Sequence, residues 1–261
     1  MLNDFFPFIA PDKVRPFVYE DGHTVAMHFD ISAMQSRMRR DDPYRLDLEY
    51  TRTMMGCLLL QPAPQSILAI GLGGGSLPKY CYRHVPAADI TVVEINPHVI
   101  QMRDTFLVPA DDHRFRVVCD DGASFVAAAK HRYDVVLVDG FTYDGQPEQL
   151  CTPDFYAACR SVLSATGVMA VNLHRKGPTC EALCDRIVRC FGEDAVLLVP
   201  ASGGSNLVAL AAKAGSLRSI ASEFNRRWDG LAAVHQQTLR SSVWRIERGL
   251  LTHSQLATHS D

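Results

Sequence analysis

No apolar stretch in this chain reaches the ~18 residues that a membrane-crossing helix needs. Its eight cysteines, at 57, 81, 119, 151, 159, 180, 184 and 190, include no Cys-x-x-Cys pair. Its ten histidines form no His-Glu-x-x-His motif, and none is assigned to a metal. A basic excess is missing too. The formal net charge is −3, whereas nucleic-acid binders ordinarily carry the opposite sign. The opening Met1-Leu-Asn-Asp-Phe-Phe puts an acid where a secretory signal needs positive charge. Several cysteines fall inside apolar patterns, so reduced thiols in a cytoplasmic protein are expected rather than disulfides or zinc. The expectation is a protein with no metal, no membrane and no nucleic acid among its partners.

What is present is one Gly-rich run. Ile67-Leu-Ala-Ile-Gly-Leu-Gly-Gly-Gly-Ser-Leu-Pro78 carries four apolar residues straight into a glycine cluster. A second apolar run, Thr91-Val-Val, then ends on Glu94. That layout belongs to nucleotide-binding β-α-β units, in which glycines admit the ligand to the backbone and the acid takes a ribose diol. A dinucleotide fingerprint needs a glycine at the sixth position, and here that position is Ser76. Gly71, Gly73 and Gly75 alternate instead. Such spacing suits a ligand with no pyrophosphate, of the S-adenosylmethionine type, better than NAD.

With 261 residues and 47% hydrophobic content, the chain can bury a full core as one large domain with a small appendage. Residues 1–61 read as an N-terminal lid and linking helix. Val14 to Tyr19 and His23 to Phe29 predict a hairpin about Glu20-Asp21-Gly22, and Tyr44 to Leu60 has helical spacing. Residues 62–215 alternate short apolar strands with helices, the pattern of a doubly wound parallel sheet. Ala195 to Pro200 and Asn206 to Ala211 are separated only by Ala201-Ser-Gly-Gly-Ser205, too short for a crossover, so they must pair antiparallel. A seven-stranded, mostly parallel sheet ending in a reversed hairpin is the class I methyltransferase-like arrangement. Residues 216–261 predict a helical extension rich in arginine, read as a solvated surface rather than a docking face.

In open α/β sheets ligands lie beyond the carboxyl ends of the strands, so each exit is informative. Glu94 is placed for the ribose hydroxyls, and Asp121 before Gly122 for the adenine amine, a role compatible with capping the next helix. Tyr133-Asp-Val-Val-Leu-Val138 exits into Asp139-Gly-Phe-Thr-Tyr-Asp-Gly145. A carboxylate at Asp139 would orient an attacking amine and accept its proton.

The glycine loop, Glu94, Asp121-Gly122, Tyr133 to Asp139 and Leu150-Cys-Thr-Pro-Asp-Phe-Tyr156 together resemble the spermidine synthase superfamily. Met34-Gln35, Arg40-Asp-Asp42 and Tyr44 extend the likeness upstream. The resemblance implies that Gln35 contacts the nucleoside, that Asp139 handles the amine and that Tyr44 lines the acceptor side. It also implies a homodimer with a β-rich N-terminal lid. Two positions depart from the polyamine-forming pattern: Gly74 and Thr142 stand where that family has acids. Each lost charge-assisted contact costs about 1.5–3 kcal/mol. Asp144 offers one charge from a shifted position, and Thr142, Tyr143 and Asp144 would shape the acceptor pocket. An uncharged loop tolerates the carboxylate of ordinary S-adenosylmethionine and resembles that of a related methyltransferase branch. The sequence therefore predicts transfer of a carbon group from an S-adenosylmethionine-type donor to a small-molecule or protein amine. Methyl transfer is preferred, with aminopropyl transfer from decarboxylated S-adenosylmethionine as the alternative and a non-catalytic nucleoside-binding protein as the second. Arg37, Arg39 and Arg40 form either an anion-recognising patch or a solvated charge run.

Overall fold

The computed structural model describes residues 11–29, 34–142, 145–175, 179–214 and 217–256. Three antiparallel strands come first: β1 (Phe17–Glu20), β2 (Thr24–His28) and β3 (Met34–Arg39). The expected turn joins β1 to β2, and Asp21 Oδ1 accepts from the amides of His23 (2.7 Å) and Thr24 (2.6 Å). β3 was not foreseen. Its Ser36 and Met38 are buried while Gln35, Arg37 and Arg39 are half-exposed, a period-two pattern masked by the charges between.

The predicted helix over 44–60 is two short ones, α1 (Glu49–Met54) and α2 (Cys57–Leu60), and it starts later than the spacing suggested. The break falls at Gly56, where a Cβ would lie 2.7 Å from Ile246 Cδ1, so the chain turns to make room for a C-terminal helix. β4 (Ser66–Ile70), α3 (Ser76–His84), β5 (Asp89–Glu94), α4 (Pro97–Ile100), β6 (Phe115–Cys119), α5 (Gly122–Ala128) and β7 (Tyr133–Val138) then alternate. α6 (Pro153–Val162) runs directly into β8 (Leu163–His174), and α7 (Cys180–Phe191) leads to β9 (Val196–Pro200) and β10 (Asn206–Ala212). α8 (Leu217–Ser222), α9 (Phe224–Gly230), α10 (Ala233–Leu239) and α11 (Val243–Leu256) close the chain.

The main sheet has seven strands in the order β6-β5-β4-β7-β8-β10-β9. Pairings from β6 to β8 are parallel, and β10 is antiparallel to both β8 and β9. The sequence expectation of a class I methyltransferase-like sheet holds. Strand side chains alternate between two cores. Ile67, Ala69, Val92, Val135 and Leu137 pack on one face with α1 to α3 and α8 to α11. Leu68, Ile70, Val93, Val136 and Val138 pack on the other with α5 to α7. Strands buried on both faces leave function to their ends.

One buried cation sits beside the glycine loop. Lys79 on α3 donates to the Phe106 carbonyl (2.6 Å) and lies against Met38 sulfur (3.1 Å), and burial pulls its pKa down to about 8. Arg37, Arg39 and Arg40 pair with Asp47, Asp41 and Glu20 respectively, which favours the solvated-charge reading of that run. Arg218, Arg226, Arg227 and Arg245 of the C-terminal helices likewise meet Asp194, Glu223 and Glu49. No helix among the described residues is long and apolar enough to cross a membrane.

Candidate active site

Where β4 and β7 leave the sheet they are stitched together. Asp139 N donates to Ile70 O (2.9 Å) and Gly71 N donates to Val93 O (2.8 Å). This puts the glycine loop, Glu94 and Asp139 along one carboxyl edge, facing a cavity of about 680 Å³. β3 and the start of α1 cover it from one side, and the β9–β10 connection from the other.

On the glycine side, Gly71, Gly73, Gln35, Glu94, Asp121 and Gly122 all line the cavity. Glu94 is buried, and its carboxylate accepts from the amides of Leu72 (2.8 Å, Oε2) and Asn96 (2.9 Å, Oε1). Desolvation raises its pKa while those backbone donors oppose the rise. The backbone of Gly73 and Ile95 also presents donors to this carboxylate, so four amides surround it at the mouth of the glycine loop. Asp121 caps α5 through Ser124 N (2.8 Å), and its other oxygen accepts from Gln149 Nε2 (3.2 Å). Gln149 also lines the cavity and was not foreseen. Gly75 is not a lining residue. It takes a left-handed turn (φ +69) that starts α3, packed against Val108.

Position 74 has no room for a side chain. A Cβ there would lie 2.7 Å from both Ser36 Oγ and Phe106 Cδ1. The hydroxyls of Ser36 and Ser76, 3.5 Å apart, line the cavity beside it.

At the other end, Asp139 is held from two sides. Tyr50 OH donates to Oδ2 (3.1 Å), and Asn172 Nδ2 donates to Oδ1 (2.9 Å). Burial lifts the Asp139 pKa to about 6 against both hydrogen bonds. Tyr50, buried beside that carboxyl, is pushed well above its ordinary range and stays a donor. The tyrosine expected here from the resemblance was Tyr44, and the structure does not bring it to the cavity. Because α1 starts only at Glu49, Tyr44 lies outside the helix with its ring beneath Arg83 (4.9 Å). Tyr50, on the first turn of α1, takes that place beside Asp139. Thr142 lines the cavity, whereas Tyr143 and Asp144 lie outside the described residues. Phe141 and His174 stack at 4.6 Å on the rim. Among the described residues, no group of three or more His, Cys, Asp or Glu side chains is arranged to hold a metal.

A seven-stranded sheet with a nucleoside-sized cleft at its carboxyl edge and a buried carboxylate in that cleft defines a class I methyltransferase-like α/β transferase. The spermine/spermidine synthase domain matches residues 48–179. A polyamine aminopropyltransferase of Neisseria meningitidis is 33% identical over 220 residues, covering 84% of this chain and 83% of the relative. One from Chromobacterium violaceum is 35% identical over 208 residues, 76% of this chain and 79% of its own. A probable spermidine synthase from Corynebacterium glutamicum superposes with a TM-score of 0.68 at 18% identity, over 83% of this chain and 84% of that one. The chain belongs to the spermidine synthase family and is a transferase.

Proposed function

We propose that this chain transfers an aminopropyl group from decarboxylated S-adenosylmethionine to a primary amine of a diamine or polyamine. The observation that carries the reading is the buried Asp139 carboxylate, gripped by Tyr50 and Asn172 at the strand exit nearest the glycine loop. The names of the relatives favour aminopropyl over methyl transfer, and the preference for methyl drawn from the sequence finds no support among them.

An alkylamine is protonated at neutral pH and cannot attack until it gives up a proton. Asp139 takes that proton and passes it to solvent. The freed lone pair forms the new C–N bond at the methylene next to the sulfonium. The C–S bond breaks, its electron pair returns to sulfur, and neutral methylthioadenosine leaves. Glu94 would hold the ribose, and Asp121 with Gln149 the adenine edge. Gln35, Ser36 and Ser76 would line the donor's tail with neutral groups, in place of the acid for which position 74 has no space. The eight free thiols suit the reducing cytoplasm.

That same crowded position supports the second reading, methyl transfer from intact S-adenosylmethionine, since no loop carboxylate repels the donor's own. Calorimetric titration with both donors, followed by turnover on putrescine and spermidine, separates the two. Preference for the decarboxylated donor with release of methylthioadenosine is expected. Release of S-adenosylhomocysteine would instead establish methyl transfer. Binding of either donor with no turnover would leave only a nucleoside-binding protein.

The pH dependence has a definite sign. Asp139 must be ionised, so activity falls as pH drops through about 6. Tyr50→Phe removes a donor to the ionised form and should move the acidic limb upward by about one pH unit. Tyr44→Phe should leave the profile unchanged. pH–rate profiles of the two variants check this.

A further inference from the structure

The hydrogen bonds around Asp139 run further than the carboxylate. An ionised carboxylate only accepts, so Asn172 must turn its Nδ2 toward Asp139 Oδ1 (2.9 Å). The Asn172 carbonyl oxygen then points away and accepts from Asn206 Nδ2, also at 2.9 Å. With its nitrogen committed, Asn206 keeps Oδ1 as an acceptor with no partner among the described residues. Asn206 opens β10 opposite His174 of β8, and both asparagines line the cavity on the side away from the glycine loop.

The described carboxylate on this side other than Asp139 is already committed. The carboxylate of Glu49 is matched by Arg52 and Arg245 and accepts from Ser241 (2.8 Å). The described acids of the cavity are otherwise Glu94 and Asp121 on the nucleoside side, and Asp139 itself. The Asn206 amide oxygen on this side is the acceptor that the hydrogen-bond chain orients, its direction set by the carboxylate two side chains away.

We infer that Asn206 is a specificity-determining residue: its Oδ1 accepts an N–H from the far amine of the acceptor while Asp139 holds the near one. This rests on the aminopropyl reading above and adds the acceptor's second contact. The recognised chemistry is a diamine bound at one end by a carboxylate and at the other by a neutral oxygen.

The test compares putrescine with butylamine, which has the same carbon chain and one amine, as substrates or as competitors. Asn206→Ala should raise the KM for putrescine about tenfold, the equivalent of ~1.4 kcal/mol, with kcat nearly unchanged. Butylamine and methylthioadenosine affinities should stay constant. Asn206→Ser, whose hydroxyl can both donate toward Asn172 and accept from an amine, should raise the putrescine KM less than alanine does and serves if the alanine variant does not fold. An equal change for both amines would overturn the proposal, because Asn206 would then merely steady Asn172 and Asp139. So would no change in an active enzyme. If the unmodified protein neither turns over nor binds any diamine, the aminopropyl reading itself fails, and the far-amine contact with it.

Discussion

Asp139→Asn is expected to lower turnover by about a thousandfold, the usual worth of a positioned proton acceptor, while methylthioadenosine binds as it does to the parent. The two halves of this expectation come from different parts of the site. Asn and Asp have the same shape, so the backbone contacts that hold the strand exit, Asp139 N to Ile70 O (2.9 Å) among them, are untouched. Glu94, Asp121 and the glycine loop keep their geometry, and with it the proposed nucleoside contacts. What is lost is the basic oxygen. An amide cannot take the amine's proton, and its own N–H must face either Tyr50 or Asn172, both of which are donors here. Asn172 can answer only by turning its amide over, which would reverse the polarity passed on to Asn206. The variant should therefore also weaken putrescine binding. Single-turnover rates and calorimetric titrations measure the two effects separately. Turnover within tenfold of the parent would remove Asp139 from its role.

The parts of this site that lie along a single strand-loop-helix unit were readable from the chain itself. Glycines after a buried run, and an acid at the end of the next run, have local spacing that only a few folds use, and Gly71, Gly73 and Glu94 do meet at the cavity. The reversed hairpin was readable because five residues between two apolar runs cannot hold a crossover. Less was readable where long-range packing decides. Tyr44 and Tyr50 both follow the acidic stretch, and the choice between them turns on where α1 begins. That start is tied to Arg245 and Ser241 of the C-terminal segment, which bind Glu49. Asn172 and Asn206 come from strands paired antiparallel, and nothing in their sequence spacing announces that one amide would orient the other. In the sequence, Gly74 shows only as a missing charge. Its neighbours Ser36 and Phe106, distant in sequence, show a space already filled.

Gly71→Ala is expected to damage both the fold and the site, and comparison with Gly73→Ala shows why. Both glycines have left-handed backbone angles, φ +93 and φ +50, so each alanine variant carries backbone strain of about 1–3 kcal/mol. Surroundings separate them. A Cβ at Gly73 meets nothing nearer than Ser36 Cβ at 3.7 Å, an ordinary contact. At Gly71 it would sit 2.3 Å from the carbonyl oxygen of Asp139, and that atom is backbone. Either the glycine loop or the exit of β7 must move, and overpacking of this kind adds about 1–3 kcal/mol. Gly71→Ala should thus lose roughly 2–6 kcal/mol in all, visible as a fall in thermal midpoint well beyond that of Gly73→Ala. The displaced carbonyl belongs to Asp139, the proposed proton acceptor, so turnover should fall even where the variant folds. Methylthioadenosine affinity should drop as well, since the loop next to Glu94 shifts with it. Denaturation curves and nucleoside titrations of the two variants side by side provide the measurement. Equal effects at 71 and 73 would mean that backbone strain alone matters, and that the contact between the glycine loop and the Asp139 strand does not hold the site together.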